Sequence, residues 1–186
     1  FFHKSLMLNP GWNEDLTPLL EMNISNENRC RIKVYFDGRE KGRDVHDAVI
    51  DLDVGDRDLQ QCADAVIRLR AEYLYNQELY REICFNFTNG FPAEYSKWME
   101  GYRISVTGNN VSWIRSGGYS KDYKDFRKYL DIVFAYAGTL SLEKELKEVS
   151  IENMENGDVF IQGGSPGHCV IVVDMGSPLA DTEALQ

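Results

Sequence analysis

The chain has 186 residues and a mass of 21.3 kDa, the size of one ordinary domain. Its 43% hydrophobic and 12% aromatic content excludes a disordered or collagen-like polymer. The longest apolar runs, such as Val170–Val173, fall far short of the ~20 residues needed to span a bilayer. Thirty acidic against 20 basic residues give a formal charge of −10, which repels nucleic acid and anionic membranes, and no basic patch offsets it.

Four cysteines, Cys30, Cys62, Cys84 and Cys169, are few for a disulfide scaffold at this length. They form no CxxC pair and no Cys/His metal spacing, so free thiols without a metal or cofactor are expected. The start, Phe1-Phe-His-Lys-Ser5, carries neither the basic n-region nor the small-residue cleavage site of a signal peptide.

Residues 1–30 are polar and turn-rich and read as a surface arm with one short helix near Asp15–Met22. Alternation of Ile32, Val34 and Phe36 with polar neighbours predicts a strand at Arg31–Phe36, and Ala48–Val54 predicts a second. Asp58 with Gln61 three residues on makes a capping-box pattern. It opens a helix whose stripe runs Leu59, Cys62, Ala63, Val66, Ile67, Arg70, Tyr73 and Leu74 and which reaches about Tyr80. Ile83–Phe87 reads as a short strand. Phe91-Pro92 begins a helix that stops before Gly101, with proline at its start and glycine past its end.

Thr107-Gly-Asn-Asn110 between two β-rich runs predicts a hairpin of Arg103–Val106 and Val111–Arg115. Ser120 caps an aromatic helix, Lys121–Ala137, ended by Gly138, and Ser141–Val149 reads as a charged amphipathic helix. Two strands close the chain, Asp158–Gln162 and His168–Asp174, joined by Gly163-Gly-Ser-Pro-Gly167. With no repeat or linker, residues 31–186 form one α+β domain, its antiparallel sheet packed on helices.

Two residues carry candidate chemistry. Cys62 lies in the first turn of the main helix, where the dipole and unpaired N–H groups favour a thiolate nucleophile. Its register with Leu59, Val66 and Tyr73 is that of a core cysteine, the reading that helix position alone favours. His168 opens the last strand beside a Gly/Pro loop, the place of a general base or of a hydrogen-bonded structural imidazole. Alternation turns Cys169 to the other strand face from His168, whereas His3 and His46 lie in polar loops. Around the helix end, Lys97, Trp98, Tyr102 and Arg103 could line a ligand cleft or pack helix on sheet. Asp51–Asp58 is rich in carboxylates but lacks the pattern of a Ca²⁺ loop. Asn86-Phe-Thr88 matches a glycosylation acceptor inside an expected strand, and the Tyr119–Tyr136 aromatics recur at helical spacing as core.

In chain order, a helix-head cysteine is followed by Gly157-Asp-Val-Phe-Ile161, a Gly-rich turn and Gly167-His-Cys-Val-Ile-Val-Val173. This resembles papain-like thiol hydrolases, in particular the NlpC-type and CHAP-type cell-wall peptidases and amidases, although Gln61-Cys62-Ala63 replaces their usual Asp-Cys-Ser/Gly. The long separation between Cys62 and His168 then implies inserted helices. The resemblance implies Cys62 as nucleophile, His168 as base and acid, Gln61 as a substrate-binding residue beside the nucleophile, and a peptide-like or cell-wall amide as substrate. For the orienting third group the chain offers only Asp181, Glu183 and Gln186, so a domain truncated at its C-terminus is expected.

Asp56–Tyr75, Phe85–Phe91, Trp98–Arg103, Tyr129–Lys147 and Gly157–Met175 together resemble more closely an uncharacterised bacterial family, domain of unknown function 4846. That resemblance implies an exported, extracytoplasmic protein, periplasmic or lipid-anchored. The expectation is thus a cysteine hydrolase of the envelope. The rival is a non-catalytic envelope protein, structural or gripping a ligand through Trp98, Tyr102 and Arg103.

Overall fold

A computed structural model describes residues 5–7, 53, 55, 57 and 59–172. The expected helix at 15–22, the strands at 31–36 and 48–54 (Asp53 apart), the cap Asp58, and Asp181, Glu183 and Gln186 lie outside these residues.

The described elements are β1 (Ser5–Met7), α1 (Cys62–Asn76), β2 (Cys84–Asn86), β3 (Pro92–Glu94), α2 (Tyr95–Met99), β4 (Tyr102–Thr107) and β5 (Asn110–Arg115). There follow α3 (Tyr123–Tyr136), α4 (Thr139–Glu145), β6 (Lys147–Val149), a 3₁₀ turn at Ile151–Asn153, β7 (Val159–Gln162) and β8 (His168–Ile171). The architecture is mixed α+β, with helices against small antiparallel sheets. A four-stranded sheet runs β6-β1-β7-β8, and β2–β3 and β4–β5 form separate two-stranded ribbons. Three residues of the N-terminal stretch read as a surface arm thus form a strand inside the main sheet.

The register of β7 on β8 fixes which residues share a face. Val159 stands opposite Ile171 and Ile161 opposite Cys169, whereas Phe160 pairs with Val170 and Gln162 with His168. Val159, Ile161 and Cys169 are buried, and α1 packs on β8 while α4 packs on β7. The helices therefore cover the row that carries Cys169. The alternate row turns away from them, since side chains one residue apart in a strand point to opposite faces: His168 and Val170 are exposed.

Helix boundaries shift from the sequence reading for local reasons. The N-cap of α1 is Gln61, not Asp58, and the Gln61 N–H donates to the Asp64 carboxylate at 3.2 Å. At its other end the N–H of Leu79 reaches the carbonyl of Leu74 and that of Glu78 reaches Tyr75, a Schellman-type closure that ends the helix before Tyr80. The helix expected from Phe91 begins only at Tyr95, because Pro92–Glu94 pairs with Cys84–Asn86. The end of the expected Ser141–Val149 helix is strand β6, drawn out by pairing with β1. The β4–β5 hairpin turns through Gly108-Asn109 as its sequence predicts, with Gly108 at φ 60°. Gly101 is required twice over: its φ is 92°, and a Cβ there would overlap the Gly117 carbonyl.

The core is one cluster of α1, α3, β2, β3 and the inner face of β7–β8, rich in rings. Tyr75 stacks on Phe126 at 4.3 Å between centroids, and Tyr95 packs on Phe126 and Tyr129. The Tyr129 hydroxyl donates to the Ala93 carbonyl at 2.6 Å, tying α3 to β3.

Inside α1 lies a buried charge. Arg68, 1% exposed, donates from Nε to Glu72 at 2.6 Å, from one terminal nitrogen to the Asp53 carbonyl and Gln60 Oε1, and from the other to the Tyr123 hydroxyl. Tyr123 in turn donates to Glu72 at 2.8 Å. Removing one partner of such a pair strands the other charge in low dielectric, a loss of roughly 3–5 kcal/mol, whereas replacing both by apolar groups is often neutral. Arg68→Met is therefore expected to lose about 3–5 kcal/mol in urea unfolding, and the double variant Arg68→Met/Glu72→Leu to recover most of it. Losses that simply add would show that the two charges do not stabilise one another.

Candidate active site

Cys62 is the first residue of α1, half-buried and a free thiol. Its position gives it the unpaired N–H groups and the positive end of a 15-residue helix. Two residues later Asp64 is pushed up to about 6 by burial, against the lowering effect of the Gln61 N–H. The Gln60 side chain is held by Arg68, so the segment leading into Cys62 is anchored from the core. Gln61 itself is exposed beside the thiol.

On the facing strand the residue directed at α1 is Cys169. It is buried, and its thiol is pushed up to about 12, first by burial and then by the Cys62 sulfur. The imidazole of His168 begins one residue earlier, about 3.8 Å along the backbone, but on the exposed face, opposite Gln162. The structure thus brings Cys62 to the strand that carries His168, with Cys169 rather than His168 on the near side. The preceding loop, 163–167, lies on α4: the Gly163 N–H donates to Glu143 at 3.2 Å, and a Cβ at Gly167 would overlap Thr139.

The residues expected to grip a ligand form a different unit. Trp98 is 4% exposed, with its indole N–H donated to Asp125 at 3.1 Å. The Arg103 guanidinium lies 4.2 Å over the Trp98 ring, forks onto both Asp125 oxygens at 3.2 and 2.9 Å, and also reaches the carbonyls of Trp98 and Tyr102. Trp98, Arg103 and Asp125 thereby lock α2 and β4 onto α3, with each polar group matched inside the fold. Tyr102 is half-buried beneath the Arg115 guanidinium. Asp125 was invisible to sequence reasoning, since no spacing relates it to Trp98. The Arg68–Glu72 pair, by contrast, carries an i, i+4 signal within the helix.

A second titrating group sits between α4 and β2. Glu145 accepts the Asn86 N–H at 2.8 Å, yet burial raises its carboxyl from 4.5 to about 7. Next to it burial, reinforced by Glu145 and Glu94, pushes the Cys84 thiol up to about 11, so Cys84 is a poor nucleophile. Among the described residues no group of three or more His, Cys, Asp or Glu side chains could hold a metal ion, and no helix is long and apolar enough to cross a membrane.

Two outcomes follow. Trp98→Ala is expected to cost about 3–5 kcal/mol in stability, the range for a buried aromatic; a loss under 1 kcal/mol would return Trp98 to the surface. The folded Glu145 carboxyl holds its proton more tightly than the unfolded one, so wild-type stability falls as pH rises from 4.5 to about 7 and then levels off. Glu145→Gln keeps the acceptor for Asn86 and removes that loss. Urea titrations should therefore show the variant gaining on wild type across this window, and curves that stay parallel would refute the buried carboxyl.

No curated protein and no solved structure matches the chain. Residues 19–184 match the family described as domain of unknown function 4846, and the chain belongs to that family.

Proposed function

We propose that the protein is a cysteine hydrolase of papain-like type, acting outside the cytoplasm on a peptide-like amide, with Cys62 as nucleophile and His168 as base. The observation that carries this reading is the half-buried thiol at the first position of α1, on a helix that packs across the strand opened by His168. The thiolate would attack the amide carbonyl carbon, with the N–H groups of the first turn of α1 holding the oxyanion. As the C–N bond breaks, the departing amine takes its proton from the imidazolium. A water deprotonated by the same imidazole then cleaves the thioester, releasing the acid and restoring the thiol. Exposure of His168 at the start of β8, the last strand of the sheet among the described residues, supports a base open to substrate and water, and the imidazole would meet the sulfur around the head of β8.

A second reading is favoured by one specific observation. Cys169, not His168, occupies the side of β8 that faces Cys62, an arrangement suited to a non-catalytic envelope protein that keeps the helix-on-sheet layout. Site-mapped alkylation separates the two. With native protein and iodoacetamide at pH 6, the hydrolase reading expects Cys62 to be modified at least about tenfold faster than Cys84 and Cys169, as thiolate content governs the rate. Modification of Cys62 only after unfolding would sink the hydrolase and leave the binding reading.

A further inference from the structure

Cys62 and Cys169 enter one helix–strand contact from its two sides. Cys62, the first residue of α1, packs half-buried against the core cluster. Cys169 belongs to that cluster, 3% exposed, in the row of β8 that α1 covers, opposite Ile161. Both are free thiols. Among the described residues the one titratable neighbour that acts on Cys169 is Cys62, an influence that fades with distance, so the two sulfurs are close neighbours. The third described thiol, Cys84, lies on the β2–β3 ladder and faces the carboxylates of Glu145 and Glu94, with no sulfur among the groups that act on it.

A disulfide forms only where the Cα atoms come within about 7 Å and the Cβ vectors converge. A helix residue and a strand residue directed into the same contact converge in this way, and thiols held so react far faster than thiols that meet by diffusion. The two members are unequal. Cys62 has access to solvent and the positive end of α1, which favours the attacking thiolate. Cys169 is sealed by burial and pushed up to about 12, so it reacts only with a sulfur already beside it.

We infer that Cys62 and Cys169 are a reversible dithiol–disulfide pair, oxidised by a small-molecule disulfide through attack at Cys62 and resolution by Cys169. The Cys62 thiol loses its proton and its sulfur attacks one sulfur of the oxidant, whose S–S bond breaks, and the first small thiolate leaves and takes up a proton. Cys169 then gives its proton to solvent and its sulfur attacks Cys62, expelling the second small thiolate, which is protonated in turn. Two protein thiols are thereby oxidised by two electrons and one small disulfide is reduced to two thiols. The bond staples the head of α1 to β8 and takes the Cys62 thiol out of use, which would silence it in the hydrolase reading; the pair itself does not depend on hydrolysis.

The test is oxidation of the reduced, native full chain with glutathione disulfide at pH 8, then alkylation of remaining thiols, digestion without reductant and mass mapping. The expected product is one intrachain Cys62–Cys169 bond, at least about tenfold over any bond to Cys30 or Cys84, reflecting their preset contact. Unfolded chain has the opposite preference, since closing the short loop to Cys84 costs less entropy than closing the long one to Cys169. The same oxidation in urea should therefore lose the preference for Cys169. Cys169→Ala should stop at a Cys62–glutathione mixed disulfide. A readout on the wild type alone removes any dependence on that variant's folding: the oxidised chain should melt about 5–10 °C above the reduced one, as for an unstrained bond across a long loop. Wild-type Cys62 that forms no bond to Cys169, that stays glutathionylated or that pairs with Cys30 or Cys84 would overturn the proposal. So would a preference for Cys169 that persists in urea, or a Cys62–Cys169 bond that lowers the melting temperature.

Discussion

A guanidinium sealed inside the protein fixes the head of α1. The Arg68 nitrogens reach a backbone carbonyl at Asp53, the amide of Gln60, a carboxylate one turn along its own helix and a phenol on α3. A buried cation tolerates little displacement, because each donor that loses its partner costs the full desolvation of a charged group. The segment entering α1 is thereby tied to the same core that α3 completes, and the thiol at the helix head inherits that fixed position. With α1 lying against β8, the strand's alternation then decides what the thiol meets.

That alternation gives the site its particular character. Cys169 lies under the helix with Ile161, where burial keeps it a neutral thiol, while the adjacent His168 stays in water. The Cys62 sulfur of α1 thus faces the Cys169 sulfur at the start of β8, while the His168 imidazole lies on the other face of that strand. Chemistry between Cys62 and His168 depends on the imidazole turning at the strand head, where the ladder ends with the Gln162–His168 pair. The Trp98–Arg103–Asp125 unit serves a different purpose, joining β4 to the helical layer with its polar groups satisfied internally.

Elements set by local chemistry were legible in the sequence. The Gly108-Asn109 hairpin, the apolar stripe of α1, the Phe126, Tyr129 and Phe134 stripe of α3 and the closing pair β7–β8 all follow from spacing and turn residues, whereas Tyr119, Tyr123 and Tyr136, expected as core with them, are exposed. Elements that depend on distant partners were not. Lys147–Val149 has the pattern of a helix end and becomes a strand only because residues 5–7 pair with it. Pro92–Glu94 looks like a helix start until Cys84–Asn86 lies alongside. The helix-head thiol and the strand-head histidine could be located by motif, but which face of β8 meets α1 is a packing outcome that no spacing encodes. Trp98 was legible as an aromatic near a helix end; only the position of Asp125 turns it into core. The left-handed Glu78 left no trace, since the sequence there carries a glutamate where a helix end normally shows glycine.

The most direct measurement is the pH dependence of the rate at which Cys62 is alkylated, compared between wild type and His168→Ala. If the imidazole and the sulfur form a working pair, wild type should react well below the ordinary thiol range, and the variant should lose that acidic limb while keeping its rate at high pH. Superimposable profiles would mean that the histidine never reaches the sulfur, and the hydrolase reading would be contradicted.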